Sequence, residues 1–173
     1  MNDIIETIEY KDYKIELCYD PYPDDPRKSF DNLGIMACFH KRYNLGDQHE
    51  FKEPQDLLDW IEANKDDIYY LPLYVYEHGN ITIATSPFSC RWDSGQIGFI
   101  YMTKELANAE GIVKPYEILE HEVKLYDAYI SGQTYGAMIL DSEGELIDSQ
   151  FGYLGSTKEV IDEAKGMIDH YTH

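Results

Sequence analysis

Between Leu71 and Thr85, two runs rich in β-branched and aromatic residues are separated only by His78-Gly79-Asn80. A gap that short, with glycine in it, joins two strands as an antiparallel hairpin. The pattern recurs. Tyr135 to Asp141 and Glu145 to Phe151 flank Ser142-Glu143-Gly144, and Ile4 to Tyr10 meets Tyr13 to Tyr19 across Lys11-Asp12. No strand–helix–strand repeat connects these hairpins. An α+β fold with a mostly antiparallel sheet and about three to four helices is expected. No linker, repeat or low-complexity stretch divides residues 1–173, so a single domain is expected.

The remaining elements follow from local signals. Asp20-Pro21-Tyr22-Pro23-Asp24-Asp25-Pro26 holds three prolines and reads as a loop. Ile35 to His40 is a candidate buried strand, and Ile97 to Met102 is another. Pro54 opens a helix through Asn64 with Leu57, Leu58 and Ile61 on one face. Thr103 caps a short helix that stops at Gly111. Pro115 starts a helix with Leu119, Val123, Tyr126 and Ile130 in one stripe, ended by Gly132. Ser156-Thr157-Lys158-Glu159 has capping-box spacing, and Val160, Ile161, Ala164, Ile168 and Tyr171 give the last helix an apolar face.

The chain carries 33 acidic and 14 basic residues, a formal charge of −19. The excess is concentrated in residues 1–26, 47–67 and 141–173, each with eight acids and two lysines. Such a field repels phosphates and excludes direct nucleic-acid binding, but it attracts basic protein surfaces. It also keeps a protein soluble. Crowding of like charges is expected to raise carboxylate pKa values. Sixteen tyrosines against six phenylalanines indicate half-wet sheet faces or a contact surface. No apolar run is long enough for a membrane span. The opening Met1-Asn2-Asp3-Ile4-Ile5-Glu6 has neither a basic nor a long apolar region of the signal-peptide kind. Cys18, Cys38 and Cys90 form neither a disulfide framework nor a zinc motif. A cytoplasmic location, no membrane partner and no cofactor are expected.

The catalytic vocabulary is sparse. Cys90 is the one candidate nucleophile, with His40 or His78 as base and Asp93 nearby. Against it, the only local cation is Arg91, and an anionic chain raises a thiol's pKa. Asp20, Asp24, Asp25 and Asp31 are carboxylates of the kind calcium takes, but not at EF-hand spacing. Cys38 and His40 share a strand face and are too few for zinc. No metal site is expected. For protein contacts, the candidates are Asp24, Asp25, Asp56, Asp59, Glu62 and Trp92, the last as an aromatic anchor or a core plug.

Three segments carry a resemblance. They are Tyr19-Asp20-Pro21-Tyr22-Pro23-Asp24-Asp25-Pro26-Arg27 with Asp31-Asn32-Leu33-Gly34 and Tyr43-Asn44-Leu45-Gly46-Asp47; Phe88 through Tyr101; and Tyr126-Asp127 through Gly152-Tyr153-Leu154-Gly155. Together they resemble a family of small proteins from bacteriophages and other mobile elements, one with no assigned activity. The resemblance implies a phage-type setting, and by analogy an inhibitor of host defence of the anti-CRISPR or anti-restriction type. The expected function is an acidic interaction protein that occupies a basic, nucleic-acid-binding surface of a host protein. The alternatives are a Cys90-dependent enzyme and a small-molecule or metal-binding module.

Overall fold

The computed structural model describes residues 2–89 and 94–173. It contains eight strands in two antiparallel sheets together with five helices, an α+β fold. The chain separates into two compact units. A terminal unit is made of the residues up to Asp25 and from Gly132 onward, and a central unit runs over Pro26–Ser131.

The terminal unit is a four-stranded sheet in the order β1-β2-β7-β8, covered on one face by a helix. Its strands are β1 (Ile4–Tyr10), β2 (Tyr13–Tyr19), β7 (Thr134–Leu140) and β8 (Leu146–Leu154), and its helix is α5 (Thr157–Tyr171). Two sequence-local hairpins are zipped together by β2 and β7, with Ile15 opposite Ile139 and Leu17 opposite Ala137. Because side chains alternate along a strand, these four point to one face. There they pack against Val160, Ala164 and Ile168 of α5. The expected cap is present, Ser156 Oγ accepting from the Glu159 amide at 3.2 Å.

Carboxylates tie α5 to the sheet. Asp169 accepts from Tyr10 Oη at 3.0 Å and pairs with Lys11 Nζ at 2.7 Å, while Asp148 on β8 accepts from Tyr171 Oη at 2.5 Å. The Lys11 and Tyr10 contacts hold Asp169 below the ordinary aspartate value, and the Tyr171 hydroxyl with the Ser149 amide does the same to Asp148. Lys158 lowers Asp162 in the same way. A carboxylate lowered on folding stabilises the fold above its ordinary value, 3.8 for aspartate, and loses that contribution as pH falls through the lower folded value. The melting temperature of the terminal unit is therefore expected to drop below about pH 4. Tyr10→Phe with Lys11→Met should flatten that drop in thermal melts. A drop of unchanged steepness would show that these pairs do not govern acid stability. The expected crowding is not the rule here: these shifts run opposite to it, and Asp127 in the central unit rises through burial, not through a neighbouring carboxylate.

The central unit is a sheet in the order β3-β6-β4-β5 with helices on both faces. Its strands are β3 (Ile35–Cys38), β4 (Ile68–Glu77), β5 (Ile81–Ala84) and β6 (Ser94–Thr103). Its helices are α1 (Pro26–Ser29), α2 (Pro54–Asn64), α3 (Lys104–Ala109) and α4 (Pro115–Ile130). β6 is covered on both sides, which is why Ile97 to Met102 reads as an unbroken apolar run. Ile100 and Met102 meet Leu119, Val123 and Tyr126 of α4. Phe99 and Tyr101 face the other way, onto Leu57 and Ile61 of α2 with Phe39, Phe51 and Trp60 around them. Pro72 is tolerated inside β4 because β5 pairs only with Tyr74 to Glu77, leaving β4 a single neighbour at that point.

The proline loop gives way to a helical turn at Pro26, and that turn places Arg27. The Arg27 guanidinium is buried and donates to Asp47 from Nε at 2.9 Å and Nη2 at 2.5 Å, to Glu122 from Nη1 at 2.9 Å, and to the Gly34 carbonyl at 2.8 Å. Glu122 also accepts from the Gly34 amide at 2.9 Å, and Asp47 from the Met36 amide at 2.8 Å. Gly46 donates to Tyr126 Oη at 2.9 Å, again linking the loop before α2 to α4. One buried cation thus joins α1, the approach to β3, the Tyr43–Asp47 loop and α4.

Candidate functional site

The first question for an enzyme is whether any base is free to act. His40 is not. Its Nδ1 accepts from the amides of Arg42 at 3.1 Å and Tyr43 at 3.2 Å, so the ring proton sits on Nε2, which faces Glu77 Oε2 at 3.2 Å. The Nδ1 lone pair is thus taken by the turn after β3, while Nε2–H faces Glu77 at the end of β4. In this arrangement His40 is engaged by the fold. Glu77 is subject to a burial effect that would raise it, but hydrogen bonds from Arg42 and His40 outweigh that and hold it low. Cys90 and Asp93 lie outside the described residues, as does Trp92.

The other two thiols are poor nucleophiles. Burial, with a further push from Asp47, raises Cys38 to about 12, against the lowering influence of Arg27. Burial and the carboxylates of Glu16 and Asp20 also raise Cys18. His49 belongs to the aromatic layer: its ring lies 4.8 Å from Phe39 and 5.7 Å from Phe51, and Nε2 meets the Cys38 carbonyl at 2.9 Å. Among the described residues no group of three or more potential ligands is arranged to hold a metal ion. The carboxylate of Asp20 is used by the backbone, accepting from Tyr22 at 2.9 Å and from Gly152 at 3.0 Å.

The contact candidates fall in two places. Asp24 is exposed and Asp25 half-buried, both at the end of the first segment of the terminal unit. Asp56, Asp59 and Glu62 are exposed on α2 of the central unit. They are not equivalent. Asp56 accepts from the amides of Lys52 at 3.1 Å and Glu53 at 3.2 Å, so it closes the helix start as well as facing water. Asp59 accepts from Gln55 at 2.8 Å and Glu62 pairs with Lys65 at 2.6 Å, contacts that are exposed and easily exchanged. Neutralising Asp56 would therefore weaken α2 itself, whereas Asp59 and Glu62 can be changed with little effect on the helix.

Between Pro54 and Asn64 the helix has no lysine or arginine, and its inner face is fixed by Leu57 and Ile61 in the aromatic layer. Its start borders a small apolar concavity lined by Phe39, Leu57, Leu58, Ile97 and Phe99. A helix with no cation among its own residues, an exposed acidic face that meets Lys65 only at its end, and an adjoining apolar recess occur together here. Sequence patterning identified the acids but not the recess, which depends on β3, β6 and α2 meeting at one corner. Compared with known proteins, the chain matches no family model, no curated protein and no solved structure.

Proposed function

We propose that this protein works by contact, not catalysis: it is an acidic interaction protein that occupies a basic, nucleic-acid-binding surface of another protein. The observation that carries this reading is the solvent face of α2, where Asp59 and Glu62 stand on a helix without a single cation. The net charge of −19 extends the same sign over the chain. Opposite potentials steer encounter and raise the on-rate, and a nucleic-acid-binding groove has the complementary sign. The likeness of three segments to phage and mobile-element proteins supports a host protein as the partner, with a defence nuclease as one such target.

The test is kinetic. With a nucleic-acid-binding partner recovered from host cells, association should slow by roughly tenfold or more as salt rises from about 50 to 500 mM, because the screening length contracts severalfold. DNA or RNA should compete for the same surface. Asp59→Asn with Glu62→Gln should slow association further while leaving the melting curve in place. An on-rate indifferent to salt, from a partner that binds its nucleic acid undisturbed, would remove the proposal.

A further inference from the structure

The recess beside α2 has a volume of about 160 Å³. A cavity of about 150 Å³ lined by Leu, Ile and Phe stays dry and accepts a benzene-sized guest. This recess is partly open to solvent and includes Gln96, but Phe39, Leu57, Leu58, Ile97 and Phe99 make most of its wall, and its volume has room for a single leucine- or phenylalanine-sized side chain. Leu58 stands at its rim, 45% exposed, the one large apolar side chain that α2 leaves in solvent. Glu62 follows Leu58 by four residues and so shares its helix face, and Asp59 is the next residue in the chain.

Charge selects the occupant. Residues 47–67 hold eight acids and two lysines, so a visiting segment is favoured if it is cationic. A second copy of this chain would bring the same −19 charge to the contact. We propose that the recess is an anchor pocket for one large apolar side chain on a lysine- or arginine-rich segment of the partner, whose flanking cations pair with Asp59 and Glu62. This rests on the acidic-interaction reading and adds to it the feature that distinguishes one basic surface from another. Charge alone attracts any cation, whereas an apolar anchor demands a particular spacing.

Two short lysine- and arginine-rich peptides test it, identical except for leucine or alanine at the centre, each fluorescently labelled and titrated with the full chain at about 50 mM salt. The leucine peptide is expected to bind about tenfold tighter, the effect of burying one aliphatic side chain. Leu58→Ser should remove that preference, and Asp59→Asn with Glu62→Gln should weaken both peptides. Equal affinity for the two peptides, or a preference that survives Leu58→Ser, would overturn the anchor pocket and leave the charge reading standing. If neither peptide binds, the charge reading falls with it. Self-association of the chain that Leu58→Ser abolishes, without any peptide preference, would give the pocket to a second copy and overturn the proposal.

Discussion

Replacing Arg27 with methionine is expected to cost the central unit about 3–5 kcal/mol, the usual result of removing one partner from a buried ion pair. A domain of this size holds about 5–15 kcal/mol in all, so a large share of its stability goes at once. The cause is what remains behind. Glu122 is only 8% exposed, and without Arg27 its charge keeps just the Gly34 amide. Asp47 loses two guanidinium bonds and retains the Met36 amide. Arg27→Lys should recover little, since one ammonium cannot reach both faces of Asp47, Glu122 and the Gly34 carbonyl together. Adding Glu122→Gln to Arg27→Met should restore part of the loss, because the stranded charge is gone. Denaturant titrations of the three variants check this. A loss under about 1 kcal/mol for Arg27→Met would show that the cluster is incidental to the fold.

Gly98→Ala is expected to destabilise by more than about 3 kcal/mol, beyond the ordinary range for an overpacked core. A Cβ at this position would lie 1.9 Å from the Ala37 carbonyl oxygen and 3.0 Å from the Cys38 Cα. Both are backbone atoms of β3, so no side-chain rotation relieves the clash, and β3 must separate from β6. Hydrogen exchange at Ile35 to Cys38 should accelerate in step with the lost stability. Gly95→Ala, in the same strand, meets nothing within 4 Å and should be nearly neutral. Gly46→Ala combines both penalties, a φ of +73° and a Cβ 2.5 Å from the Met36 carbonyl. Equal effects at Gly98 and Gly95 would mean that β3 yields freely.

Most elements were legible because their signals are local. The strands at 4–10 and 13–19 and the helix at 54–64 match the sequence reading residue for residue. Caps on α3 and α5 fall at Thr103 and Ser156 as their spacing requires. Strand order was not legible. Cys18 lies opposite Gly136, and β6 inserts between β3 and β4, because long-range pairing is decided by which apolar faces find cover rather than by neighbours in sequence. Arg27 was missed for a related reason: its partners lie 7, 20 and 95 residues away. The available signal was slight: Arg27 stands beside Lys28 in a polar Pro- and Asp-rich stretch, where a buried cation and a solvated one look alike. The exposed acids of α2 were legible, but not the capping role of Asp56, since a carboxylate that binds backbone and one that faces only water look alike in sequence.

The terminal unit is assembled from both ends of the chain, and this constrains how the protein emerges from the ribosome. After β2 is made, roughly a hundred residues follow before β7 exists to pair with it. At about 5–20 residues per second the first hairpin waits for several seconds while the central unit is made, and that unit has all its strands and helices just before β7 appears. During that interval the β1–β2 hairpin exposes two unpaired edges, an invitation to pair with other nascent chains. Glu6, Glu9 and Glu16 lie along those strands. Like charges on two such hairpins repel, which opposes that pairing while the sheet is unfinished.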